Sequence, residues 1–164
     1  MRHTIIIAAA IFLAGCTHTD DSLTRYVDPK IGSGGHGHVF VGANVPFGFV
    51  QLGPTSIPQD WDWCSGYHDS DSTVIGFSHT HLSGTGIGDL FDITVMPVVG
   101  PHAGKNDNGS TDMTSGERPL TFGRGKESDP HNGLWSYADR TREIARPGYY
   151  SVPLTRYGIT AEMT

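Results

Sequence analysis

The chain has 164 residues, which sets the scale at one domain with a short appendage. Its 17 acidic residues outnumber its 11 basic ones, for a net charge of −6, and this argues against an electrostatic nucleic-acid binder, which needs a basic face to displace counterions. Twenty-two glycines and ten prolines beside 37% hydrophobic residues leave enough apolar mass for a core, and point to a turn-rich, β-dominated domain.

Residues 1–16 read as an export signal. A short basic start (Met1, Arg2, His3) precedes an apolar stretch of about a dozen residues, too short for a bilayer span, which takes about 20. The stretch closes on Leu13-Ala14-Gly15-Cys16, which resembles a bacterial lipobox and makes Cys16 the expected lipidation site. The protein is thus expected to be an exported lipoprotein, in the periplasm or at the cell surface, touching membrane through its lipid anchor only. Residues 17–25 form a polar tether, and the domain proper begins at Tyr26. With Cys16 acylated, Cys64 has no disulfide partner, so a buried, inert thiol is expected there.

Short apolar runs at 39–41 and 47–52 are expected strands, the second bracketed by Pro46 and Pro54. Residues 73–82 read as a strand that places Ile75, Phe77, His79 and His81 on one face. Residues 84–89 read as a loop, and 91–99 as a further strand stopped by Gly100-Pro101. From 102 to about 146 no period holds, which marks an irregular insertion or lid. Strand composition resumes at 149–154 and 157–163. No capped amphipathic helix is evident, so the expected class is all-β, a β-sandwich over 26–164. Because the last run stops at Thr164 without a turn, the chain is expected to continue, with the sandwich incomplete at its C-terminal end.

Four patterns carry chemistry. Gly32-Ser33-Gly34-Gly35-His36-Gly37 is formally GxGxxG, but Val39, Val41 and Pro46 follow where a dinucleotide site needs a helix, so it reads as a loop whose backbone can approach a ligand closely. His36 and His38, with His79 and His81, form two H-x-H pairs; these suit either a zinc-like ion or a polar pocket for a hydroxyl-rich ligand. Trp61-Asp62-Trp63, followed by Tyr67-His68, sets flat aromatics beside short polar groups, as a sugar site requires; core packing accounts for the same tryptophans equally well. Asp62, Asp69, Asp71, Asp89 and Asp92 show no spacing that marks a general acid–base pair.

Three blocks taken together carry a resemblance. IGSGGHGHVFVGANVPFGFVQLGP (31–54), WDWCSGYHDSDSTVIGFSHTHLSGTGIGDLFDITVMP (61–97) and RPGYYSV (146–152) closely resemble the N-terminal domain of glycoside hydrolase family 92, the calcium-dependent exo-acting α-mannosidases. The most specific run is GFSHTHLSGTG (76–86), and the resemblance spans 26–164, weakening at 102–142. Members often carry Ser-His-acid before Pro-Gly-Tyr-Tyr, where this chain has Ala138-Asp139-Arg140.

The resemblance implies a β-sandwich packed on a larger (α/α)₆ barrel of the same polypeptide. The implied reaction is hydrolysis of terminal α-mannosides of glycans with inversion, which takes a carboxylic acid and a carboxylate about 6.5–9.5 Å apart. It also implies Ca²⁺, with its ligands and the catalytic carboxylates in the barrel and none in this chain, so that this chain alone is inactive. The expected contribution here is substrate binding by Gly34, Gly35, His36, Trp61, Asp62, Trp63, Cys64, His79 and His81. The alternative is a non-catalytic carbohydrate-binding surface lipoprotein; a histidine metal site is a weaker third reading.

Overall fold

The computed structural model describes residues 23–44, 48–84, 86–88, 93–99 and 133–164. The expected signal and lipidation site, Asp89, Asp92 and most of the 102–146 insertion lie outside these residues. Among the described residues there are eight short strands: β1 (Gly53–Thr55), β2 (Thr73–Val74), β3 (Gly76–Ser78), β4 (Thr94–Val95), β5 (Ser136–Tyr137), β6 (Ile144–Arg146), β7 (Tyr149–Leu154) and β8 (Ile159–Met163). All pairings are antiparallel, in sheets ordered β1-β3-β4, β2-β5 and β6-β7-β8. Among the described residues the only helical elements are three single 3₁₀ turns, so the chain is all-β as expected.

The β6-β7-β8 sheet follows directly from its sequence. Arg146 pairs with Tyr149 across Pro147-Gly148, and Gly148 takes φ 72° at the turn position where a side chain is disfavoured. Strand β7 is central, and Tyr150, Val152 and Leu154 point from one face into the core. Pro153 tolerates this position because its carbonyl, not its missing N–H, is used: it accepts from Asp139 N at 2.9 Å. An Ala138–Leu154 bridge then joins the end of β5 to β7.

Phe77 and Met96 from the β1-β3-β4 region pack with Tyr150, Val152, Leu154 and Met163 of the other sheet in one apolar cluster, which Val41, Tyr67 and Val74 complete. Each large member that leaves water contributes about 1.5–3 kcal/mol. One hydroxyl from each strand of the β1-β3-β4 sheet joins a chain across it. Thr55 Oγ1 lies 2.6 Å from Ser78 Oγ, which lies 2.9 Å from Thr94 Oγ1.

Four expected strands are corrected. Residues 39–41 form none, and of the described residues 48–52 only Leu52 enters a β-bridge, with Ala43. Here Gly42 and Gly53 let the two segments cross too closely for a regular ladder; a Cβ on Gly42 would sit 2.0 Å from Leu52 O. The 73–82 strand is cut into β2 and β3 at Ile75, and 79–82 is not strand. Because strand geometry ends at Ser78, the histidines expected on one face separate: His79 stays partly exposed while His81 is buried. Of the 91–99 run, only β4 is a strand within the described residues.

Candidate functional site

Two segments distant in sequence meet at one face. Asp60 caps the 3₁₀ turn Trp61–Trp63, its carboxylate accepting from Asp62 N at 3.2 Å, while Cys64 N bonds back to Trp61 O. This cap turns Trp61 and Asp62 outward. Opposite lies the glycine loop, closed by Gly37 N donating to Gly34 O at 3.2 Å. Gly37 must lack a side chain, because a Cβ would fall 2.0 Å from Gly32 O.

The two are joined by charge. His36 Nδ1 lies 2.6 Å from Asp62 Oδ1. This hydrogen bond raises the His36 pKa above the usual histidine range and lowers that of Asp62. His38 Nε2 lies 3.4 Å from the same oxygen but makes no hydrogen bond, although the ring is buried; its backbone takes φ 53°, uncommon for a residue with a side chain. The His38 ring meets Trp61 edge-on at 4.2 Å, and the Trp61 indole donates to Gly86 O at 2.7 Å. Trp61 thus keeps a fixed orientation while 58% exposed.

Trp63 points inward from the same turn. Its indole N–H donates to Asp71 Oδ2 at 2.8 Å, and its ring stacks on His68 at 4.1 Å. Cys64 is buried, as expected. His81, 4% exposed, stacks on Phe40 at 5.0 Å, with Nδ1 3.2 Å from Ser65 O and Nε2 3.3 Å from Gly53 O. It supports the 61–65 segment from behind. His79 turns elsewhere, its Nδ1 2.8 Å from Ile93 O. The two H-x-H pairs do not converge, and among the described residues no three His, Cys, Asp or Glu side chains are arranged to hold a metal ion.

Beneath the glycine loop lies an ionic hub that sequence reasoning missed. The Glu143 side chain is 1% exposed and receives Lys30 Nζ at 2.9 Å, Arg140 Nη1 and the Tyr150 hydroxyl at 2.5 Å, and the Tyr67 hydroxyl at 3.3 Å. Burial pushes its pKa up, but Arg140, Tyr150 and Lys30 outweigh that and hold it below the usual range. Lys30 also reaches Asp69 at 2.9 Å, and Arg140 Nη2 donates to Asp71 O at 2.6 Å. The residues where the chain departs from the common family pattern therefore have defined work: Asp139 caps the turn Arg140–Arg142, and Arg140 enters the hub.

The carboxylates of this face hold donors. Hydrogen bonds from His36 and from Lys30 keep Asp62 and Asp69 below the usual carboxylate range, the reverse of what a proton-donating acid requires. What the face offers is a rigid aromatic ring, an adjacent ion pair and a close-approaching backbone loop, a combination suited to gripping a polar ligand with flat apolar faces.

Residues 26–164 match the model of the glycosyl hydrolase family 92 N-terminal domain, and the chain belongs to that family. Among solved structures it is similar to the family GH92 α-mannosidase BT3965 from Bacteroides thetaiotaomicron, whose structure is known alone and with mannoimidazole. Identity is 38% and the TM-score 0.69, over 88% of this chain and 17% of that one. The GH92-family glycosyl hydrolase ccman5 shares the fold, at 24% identity and TM-score 0.56 over 81% of this chain and 14% of its own. A secreted glycosidase of Arthroderma benhamiae is 30% identical over 145 residues, 88% of this chain and 16% of that protein. The chain therefore spans about a sixth of the length of these relatives.

Proposed function

We propose that this chain is the N-terminal portion of an exported lipoprotein α-mannosidase, anchored through Cys16, that hydrolyses terminal α-mannosides of glycans with inversion. Its part is to wall the sugar pocket with Gly34, Gly35, His36 and the Trp61, Asp62, Trp63, Cys64 turn, with His81 behind them. The observation that carries this reading is the junction of glycine loop and tryptophan turn at one face, in a chain 38% identical to an α-mannosidase solved with mannoimidazole. Export agrees with the secreted description of the fungal relative. His79, whose Nδ1 bonds to Ile93 O, lies outside this junction.

The described carboxylates do not fit calcium, a hard ion that takes 6–8 oxygen ligands: Asp62, Asp69, Asp71 and Glu143 are each committed to N–H donors or cations. In this proposal the ion and the catalytic acid and base come from a C-terminal barrel of the same polypeptide. Exposed Phe49, Leu82, Ile87, Ile93 and Val95 supply apolar surface for it.

The test is the complete gene product assayed on 4-nitrophenyl α-mannopyranoside. Trp63→Ala, with its melting temperature retained, is expected to lower kcat/KM by about tenfold or more. An unaltered kcat/KM removes Trp63 from the pocket. Exposed Trp61 beside the His36–Asp62 pair also suits a domain that binds glycans without cleaving them. Saturable mannoside binding by a complete gene product that releases no mannose would decide for that reading.

A further inference from the structure

We infer that the turn at residues 68–71 is the positioning element of this face, with His68 and Asp71 holding the Trp63 indole and the glycine loop at one fixed spacing. The inference rests on the reading that Trp63 and the loop meet a mannoside.

Four consecutive residues grip both segments. Asp71 N closes the turn on His68 O at 2.9 Å. His68 is buried, and its Nδ1 faces Ser70 N at 3.3 Å and Ser70 Oγ at 2.8 Å. A ring nitrogen that accepts from a backbone N–H carries no proton, so the proton sits on Nε2, which donates to Gly35 O at 3.3 Å. The other end of the loop is held by Asp69 N, which donates to Ser33 O at 2.9 Å. The flat face of the same His68 ring covers Trp63, with the planes 17° apart. One imidazole thus bonds to the loop with its edge and to the indole with its face.

Asp71 completes the grip. Both of its oxygens act only as acceptors: Oδ2 takes the Trp63 indole N–H at 2.8 Å and the Gln59 amide at 2.9 Å, and Oδ1 takes Thr73 N at 2.7 Å. With one face stacked and its single polar atom tied, the indole cannot rotate without breaking a half-buried hydrogen bond. An asparagine here replaces one acceptor oxygen with an amide that repels a donor, while changing almost no volume. His68→Gln removes the stacking ring but retains an amide donor for Gly35 O.

The experiment uses the complete gene product with 4-nitrophenyl α-mannopyranoside, comparing Asp71→Asn, His68→Gln and Trp63→Phe. The two positioning variants are expected to raise KM by about tenfold with kcat changed less than about threefold, because they disturb a contact made equally in ground and transition states. Both are also expected to lose the near-ultraviolet circular dichroism band of Trp63, which the Trp63→Phe difference spectrum identifies. A normal KM in folded Asp71→Asn and His68→Gln, with a raised KM in Trp63→Phe, overturns the positioning role and leaves the proposed function standing. A normal KM in Trp63→Phe overturns the sugar-contact reading and this inference with it. If Asp71→Asn does not fold, His68→Gln decides.

Discussion

Glu143 shows how one residue's charge state is set by its neighbours. Two cations and two hydroxyls face a carboxylate removed from water, and together they favour its ionised form. A carboxyl whose folded pKa lies below its unfolded value stabilises the fold above the unfolded value, and that stability disappears as pH falls through the folded one. Unfolding free energy is therefore expected to decline below about pH 4.5, the region where an unperturbed glutamate titrates. Glu143→Gln should flatten this decline. At neutral pH it should cost about 3 kcal/mol, the lower end for breaking a buried pair, because Lys30 retains Asp69 as its second partner. Urea titrations of both proteins between pH 3 and 7 check the two statements; parallel pH curves would contradict the first.

Among the elements, strands β7 and β8 were legible, while β6, which lies inside the segment read as an irregular insertion, and the histidine strand were not. Strand β7 shows alternation, a Pro-Gly turn before it and a glycine-ended turn after it, and all of these are local signals. The 73–82 segment has the same local signals, yet it is broken at Ile75, where its amide bonds across to Thr55 O. Pairing with two different sheets, not propensity, decides that break. Burial also differs across one sheet. Leu154 at the centre is 0% exposed, while Ile144 on the β6 edge is 44% exposed. Leu154→Ala is expected to cost about 2–5 kcal/mol and Ile144→Ala less than about 1 kcal/mol, as read from urea midpoints. Equal losses would mean that β6 is as deeply packed as β7.

At the scale of the whole molecule, a chain of 164 residues shares its fold with about 17% of a much longer α-mannosidase. Phe49, Ile87, Ile93 and Val95 are each exposed, and in the proposed function they supply apolar surface for the barrel. The chain expressed alone is expected to bind 8-anilinonaphthalene-1-sulfonate or to self-associate, and the complete gene product to do so far less. Equal dye binding by the two would count against a covering barrel. Both should be compared at matched concentration, because association depends on it.

The sequence by itself determined the strand-rich class, the strands at 149–154 and 159–163, and the identity of the loop and tryptophan segments that make the face. These are written in spacing and residue type, which short-range sterics convert directly into local structure. Only the tertiary structure decided which of the named residues work together. It set His36 on Asp62, turned His79 away, buried His81 behind the turn, and enlisted His68, Asp71 and Glu143. Tyr67 and Glu143 are 76 positions apart, and Arg140 and Asp71 are 69 apart. No local pattern specifies such pairs. They form because buried charges and N–H donors must find partners wherever the folded chain supplies them.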